Sequence, residues 1–435
     1  MTNRKLQGEH MLTDAGRAEW GSRNARASAL AESPYKRDFP LLASRRDLAF
    51  LDSAATAQRP KSVLDAQRHF YETMNANALR GLYQLSVDAT EAINAARAHI
   101  ACFLGLDERD APDIVFCRNT SEALNLLAYS YAPTVWQPGD EVCITVMEHH
   151  SNLVPWQLAC RAAGAKLVYL YPDDQGIIDE AEMRRKIGPR TRIVSAIHVS
   201  NVLGVANDVK LMGRIAHEHG AAMIIDGAQS VPHFPVDIVD LDCDFFAFSG
   251  HKVFGPMGVG VLWGRHELLE AMPPFLTGGE MIEYVSEQDA TWAAVPEKFE
   301  AGTQDAAGIY ALDAALSYVE GVGFDAMQAR EQALVSQCMR RLARLDFVRI
   351  IGPADPALHH GVVSFNVCGI HPHDVASILD MDGVAIRAGH HCAQPLLSHL
   401  GIGSCCRASF AFYNDSADID RLIDGLQHVW RMFHA

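Results

Sequence analysis

Between Asp113 and Trp263, apolar runs of strand length alternate with segments of helical period, and this limits the fold more than any other feature of the chain. The runs at 114–116, 142–146, 167–170, 193–197, 223–225, 245–248 and 259–263 are expected as strands, with helices between them, for example over 153–163 and 210–219. Strands separated by helices rather than tight turns predict a mostly parallel, seven-stranded sheet with helices on both faces, an α/β fold. No Gly-x-Gly-x-x-Gly follows the first strand, and no Gly-x-x-x-x-Gly-Lys-Ser/Thr loop occurs. The usual dinucleotide fold and the P-loop are therefore not indicated.

Around 273–303 the alternation breaks into Gly, Pro and mixed residues, read as long loops. A helical stretch from Ala306 to about Leu345 follows, then a smaller α+β module. Its strands are expected near 347–350, 362–367, 384–387 and 407–412, and its helices over 373–381 and 416–433. With 435 residues, 49% of them hydrophobic, the chain can bury a large core. Three parts are expected: an arm over 1–33, a large domain over 34–300 whose N-terminal segment also serves the small domain, and 301–435 as connecting helices plus the small domain. The arm is polar, lacks the apolar segment of a secretory signal and is read as mobile.

The net charge of −16, from 37 basic and 53 acidic residues, argues against a nucleic-acid or acidic-membrane surface but leaves local anion pockets open. No apolar stretch nears the roughly 20 residues of a membrane span. A cytoplasmic address is expected, with the ten cysteines as reduced thiols. No Cys-x-x-Cys pair occurs, and no carboxylate is spaced to complete a set with His149-His150, His390-His391 or His371-x-His373. No metal is expected.

In open α/β sheets ligands bind beyond the carboxyl ends of the strands, and those ends hold polar groups here. Phe245-Phe246-Ala247-Phe248 runs into Ser249-Gly250-His251-Lys252, and Ala222-Met223-Ile224-Ile225 into Asp226-Gly227-Ala228-Gln229. An ammonium close behind a buried strand is costly unless paired or used. Lysine at one strand end and aspartate at its neighbour suit a pyridoxal-phosphate site, with the amine on the aldehyde and the carboxylate on the pyridine nitrogen. Lys252 alone would fit a phosphate point charge or a surface lysine equally well. Arg118-Asn119-Thr120-Ser121 precedes a helix expected over 122–128, which makes either an anion site or an ordinary N-cap. Glu148-His149-His150 offers an imidazole to lie on an aromatic ring, and His198, Ser200 and Asn201 follow the next strand.

The smaller module adds Arg387-Ala388-Gly389-His390-His391-Cys392-Ala393-Gln394-Pro395, read as an exposed, mobile loop. A lone cysteine is commonly a small buried hydrophobe. Nearby imidazoles that favour the thiolate would instead make Cys392 a nucleophile, and an unperturbed thiol near pKa 8.5 is only slightly ionised at neutral pH. Arg407 is either a fork for a carboxylate or a surface strand arginine. Cys405 and Cys406 are read as structural.

Phe248-Ser249-Gly250-His251-Lys252 with Asp226-x-x-Gln229 resembles the fold-type-I, class-V aminotransferase superfamily. Met147-Glu148-His149-His150, His198-Val199-Ser200-Asn201, Phe299-Glu300-Ala301-Gly302-Thr303, the Arg387 to Cys392 run and Cys406-Arg407-Ala408-Ser409 together resemble the SufS-like group II cysteine desulfurases, from about Leu41 to the C-terminus. The resemblance implies pyridoxal 5'-phosphate held by Lys252 as Schiff base. It further implies Asp226 on the pyridine nitrogen, Gln229 on the phenolic oxygen and His149 on the ring. Thr120, Ser121, Ser249 and His251 would hold the phosphate, with Thr303 reaching in from the second subunit of a homodimer. Asn201, Arg407 and Arg387 would hold the substrate carboxylate, and Cys392 would take sulfur from L-cysteine. A SufE- or SufU-like acceptor serving iron–sulfur cluster assembly follows from the same resemblance. Ser121 stands where family members often carry Thr, and Thr277-Gly278-Gly279 where a Gly-Gly-Gly turn is common. Rival expectations are a selenocysteine lyase acting on L-selenocysteine, an aminotransferase or kynureninase-like enzyme, or a cofactor-free assembly scaffold.

Overall fold

The computed structural model describes residue 30, residues 32–79 and residues 81–434. The arm expected over 1–33 lies almost wholly outside the described residues. At its end, Leu30 and Ser33 are buried against the C-terminal module, with Ser33 Oγ donating to Phe412 O at 3.2 Å and Ser416 N to Leu30 O at 2.8 Å.

Seven strands form the central sheet: β1 (Ile114–Cys117), β2 (Glu141–Thr145), β3 (Lys166–Leu170), β4 (Thr191–Ile197), β5 (Ala222–Asp226), β6 (Phe245–Ser249) and β7 (Gly260–Gly264). Their spatial order is β1-β7-β6-β5-β4-β2-β3. All pairings are parallel except those of β7, which runs against both β1 and β6. Parallel pairs need a crossover of a dozen or more residues, usually helical. The connection over 250–259 carries no such helix, so β7 must return antiparallel. Strands β5, β6 and β7 are buried at every position, as a sheet covered on both faces requires. Helices Val154–Ala163 and Val209–Glu218 are among those connecting the strands.

Helices Ala306–Val322 and Phe324–Leu342 lead to a four-stranded antiparallel sheet of β8 (Val348–Ile351), β9 (Val362–Val367), β10 (Arg387–Gly389) and β11 (Cys405–Ser409), in the order β8-β9-β11-β10. Helices Pro372–Met381 and Ser416–His434 pack on it around a second apolar core, which also takes in Leu30, Ala49 and Leu51.

The strand expected over 384–387 is two pieces. Val384–Ala385 pairs parallel with Ala49–Phe50, whereas β10 pairs with β11. The residues after Phe50 then run as a strap over 51–57 between the two sheets. Asp52 bridges to Ser409, Ala54 N donates to Ser409 Oγ at 2.9 Å, and Ala57 N donates to His251 O at 3.1 Å. The loops expected around 273–303 include an antiparallel hairpin, Ile282–Val285 with Ala290–Trp292. Among the described residues no helix is long and apolar enough to cross a membrane, and all ten cysteines are free.

Candidate active site

A cavity of about 570 Å³ opens where the carboxyl ends of the central strands meet the loop after β10. Its size suits a cofactor plus a small substrate. Thr120, Ser121, His149, Asn201, Asp226, Gln229, Ser249, His251, Lys252, Arg387, Cys392 and Arg407 all line it. Thr303 does not. It is exposed and borders a separate crevice with Leu79, Glu280 and Gly302.

Lys252 sits in a single turn, Gly250–Lys252, directly after β6. Burial is the main cause that pulls its ammonium down to about 8, and the Asp226 carboxylate opposes that shift. Asp226, at the end of β5, accepts from Ala228 N at 3.0 Å through Oδ1, and burial pushes its carboxyl up against the pull of Lys252. Gln229 Nε2 donates to Ala54 O at 2.7 Å, so the strap fixes this side chain.

The helix expected over 122–128 starts at Thr120, runs to Leu126 and continues as a wider turn over Leu127–Tyr131. Asn119 caps it, with Oδ1 accepting from Glu122 N at 3.0 Å. The hydroxyls of Thr120 and Ser121 are therefore free of capping. They pair with Ser249 Oγ at 2.7 Å and Ser151 Oγ at 2.5 Å, and His251 Nδ1 lies 3.2 Å from Thr56 Oγ1. Hydroxyls beside a helix N-terminus form an anion bed.

His149 and His150 leave β2 through a turn rather than a strand. Ser151 N donates to His149 Nδ1 at 3.1 Å, which puts the ring's proton on Nε2. Burial, followed by the charge of Lys252, drives this imidazole down to about 3, so it is neutral.

Cys392 is exposed, and hydrogen bonds on both sides anchor the loop that carries it. Asn201 Nδ2 donates to His391 O at 2.7 Å, His150 N to Cys392 O at 2.6 Å, and His391 Nε2 to Cys405 O at 3.0 Å. These bonds hold His391 and Cys392 at φ values of 52° and 54°, a left-handed geometry that non-glycine residues adopt only when their surroundings impose it. Neither His391 nor His150 supplies positive charge to the thiol. His391 is driven down to about 3 and His150 is also lowered, burial being the first cause in both. The cations whose charge reaches Cys392 are Lys252 and Arg387.

Arg407 is not a surface arginine, being only 2% exposed. Its Nη1 donates to Asn201 O at 2.9 Å and its Nη2 to Asp52 Oδ1 at 3.2 Å, while its Nε has no partner. Asn201 Oδ1 is likewise buried without one. Buried orphans of this kind call for a ligand.

The sequence reading assigned no role to Asp52, Ala54 or Thr56 of the strap, nor to Ser151. Ser151 was open to discovery as the hydroxyl two residues after His149. Behind the site, buried Glu148 accepts from Thr145 Oγ1 at 2.6 Å, Asn152 Nδ2 at 2.6 Å and Ile197 N at 3.0 Å. Among the described residues no group of three or more His, Cys, Asp or Glu is arranged for a metal.

Residues 49–422 match the family Aminotransferase class-V. A cysteine desulfurase of Pectobacterium atrosepticum is 47% identical over 399 residues, covering 91% of this chain and 97% of the relative. A probable cysteine desulfurase of Halalkalibacterium halodurans is 45% identical over 401 residues, covering 92% and 98%. Among solved structures, the cysteine desulfurase CsdA from Escherichia coli superposes with a TM-score of 0.84 at 38% identity, covering 92% of this chain and 98% of that one. The apo cysteine desulfurase of Thermococcus onnurineus gives 0.87 at the same identity and coverage. The fold and the extent of these matches agree, and the chain belongs to the class-V aminotransferase family, among its cysteine desulfurases.

Proposed function

We propose that this enzyme is a pyridoxal-phosphate-dependent cysteine desulfurase that converts L-cysteine to L-alanine and carries the sulfur as a persulfide on Cys392. The observation that carries this reading is the sharing of one cavity by Lys252, Asp226, Cys392 and the buried, incompletely bonded Arg407.

The residues fit the cofactor. The hydroxyl bed of Thr120, Ser121 and Ser249, with His251 beside it, suits a phosphate. Asp226 lies on the neighbouring strand end for a ring nitrogen, Gln229 for a phenolic oxygen and Lys252 for the aldehyde, and neutral His149 can lie on the ring face. Thr303 of a second copy would complete the phosphate site in a homodimer. When bound, the group supplies an electron-withdrawing ring that loosens bonds around the substrate's Cα.

The protein's own groups do the rest. Arg407 offers its free Nε–H to the substrate carboxylate, with Asn201 beside it and Arg387 at the rim. The Lys252 amine, with its pKa near 8, has an appreciable neutral fraction at physiological pH and can take up and return a proton. Cys392 Sγ attacks the substrate sulfur, an S–S bond forms and the C–S bond breaks. The released electron pair stays on carbon, which gains a proton to give alanine. The exposed persulfide is then open to a thiol of a SufE- or SufU-like acceptor for iron–sulfur cluster assembly, in the reducing cytoplasm.

Two variants test this. Cys392→Ala should keep the yellow cofactor but lose at least a hundredfold in alanine release from cysteine. Undiminished release would remove the persulfide role, while retained turnover of selenocysteine alone would mark a selenocysteine lyase. Lys252→Ala should bind the cofactor without a borohydride-trappable link, and trapping at the wild-type level would defeat the Schiff-base assignment.

A further inference from the structure

A buried arginine and glutamate outside the cavity close the free edge of the central sheet. β1 stands at the end of the strand order and pairs only with β7, so its outer edge needs other partners. Glu300 Oε1 accepts from Phe116 N at 2.7 Å, and Arg97, on the helix Gln84–Phe103, donates through Nη1 to Ile114 O. The two side chains also meet as a double fork, Nη1 to Oε1 at 2.8 Å and Nη2 to Oε2 at 2.9 Å. Only 7% of the Arg97 side chain and 3% of the Glu300 side chain are exposed. A buried ion pair adds little net stability over apolar packing, so what this one offers is a fixed geometry.

That geometry reaches two parts of the phosphate machinery. Phe116 lies in β1, which runs into the Asn119–Ser121 turn of the hydroxyl bed. Glu300 comes three residues before Thr303, a span of at most about 11 Å. Gly302 N donates to Gly279 O at 3.0 Å and Asp305 caps the helix Ala306–Val322, so exposed Thr303 stands on a short stretch between held points. We infer that Arg97 and Glu300 are positioning residues: they tie the loop bearing Thr303 to the strand bearing the chain's own phosphate bed, so that the ion pair of each copy sets a phosphate contact in the other copy's site. This rests on the reading of Thr303 as reaching into the second copy of a homodimer.

The test uses mixed dimers, isolated with a different tag on each copy. One copy is wild type and the other carries Lys252→Ala, so borohydride can trap the cofactor only on the wild-type copy. Trapping against cofactor concentration then reads the affinity of that one site. Adding Thr303→Ala to the Lys252→Ala copy should weaken the wild-type site about tenfold, the loss of one hydrogen bond to a charged group. Adding Glu300→Gln there instead should weaken it by about threefold or more, although the trapping chain is native throughout. A purely structural defect would stay in the altered copy. Both changes together should do no more than Thr303→Ala alone, as expected of residues that act through one contact. Arg97→Lys, which keeps the charge but loses the fork, should act like Glu300→Gln and takes its place if that chain does not fold. If Thr303→Ala weakens the site while Glu300→Gln and Arg97→Lys leave it within about 1.5-fold, the positioning role is overturned and the shared site stands. No effect of Thr303→Ala would overturn the shared phosphate site itself, and this inference with it.

Discussion

Glu148 shows how much a single buried group can be committed. Asn152 Oδ1 accepts from Trp156 Nε1 at 2.9 Å and from Ser195 Oγ at 2.6 Å, so the amide nitrogen must face Glu148 Oε2. Position 148 therefore needs an acceptor toward Asn152. Glu148→Gln with its amide nitrogen there sets donor against donor and should lower stability by about 1–3 kcal/mol at pH 6. Burial pushes the Glu148 carboxyl up to about 8, above its unfolded value, with Thr145, Ile197 and Asn152 pulling it down. A raised folded pKa contributes stability that is complete below the unfolded pKa and lost as pH rises through the folded one. The wild type should thus lose stability between pH 6 and 9 in a way the variant does not, narrowing the gap in urea melts. An equal gap at both pH values would contradict this. Lys252 and Asp226 were legible in the sequence because each ends an apolar run whose limits can be read. Asp52 was not, since the strand before it, Ala49–Phe50, has two residues and its partners Arg387 and Arg407 lie 335 and 355 residues away.

At the scale of elements, the join between β1 and β7 governs the phosphate bed. A Cβ on Gly260, the first residue of β7, would stand 2.6 Å from Asn119 Cα and 2.9 Å from its backbone N and C. Backbone cannot give way as a flexible side chain can, and overpacking of this kind costs about 1–3 kcal/mol. Gly260→Ala should therefore displace the Asn119–Ser121 turn and weaken cofactor binding about tenfold, read as the dissociation constant from absorbance. Gly188→Ala, where nothing lies within 4 Å, should leave it unchanged. If both variants bind the cofactor alike, the turn does not depend on this approach. Long buried strands and periodic helices were readable from the sequence almost to the residue, as Val154–Ala163 and Val362–Val367 show. The two pieces over 384–389 were not, because one apolar run serves two different partners. The hairpin at 282–292 escaped because it is mostly exposed and lacks the buried face that creates alternation.

For the whole molecule, exposed large apolar side chains gather at Leu82, Tyr83 and Leu85 and on the hairpin at Tyr284, Val285 and Trp292. Leu79, Glu280 and Thr303 border one crevice, which brings both regions near the threonine proposed to serve a second copy. Contiguous exposed apolar surface of this kind marks an association face. Sedimentation should give twice the chain mass of 47.7 kDa. Tyr284→Asp with Val285→Asp should yield a monomer with weakened cofactor binding, whereas a fully active monomer would count against the shared phosphate site. The residues over 49–57 carry a different consequence. They touch Val384, Ser409, Gln229 and His251, so the two lobes are stitched together across the floor of the cleft. A clamshell motion would have to tear that seam. Catalysis here should therefore run in a vessel of fixed shape, with traffic through its mouth rather than closure of its walls setting the pace.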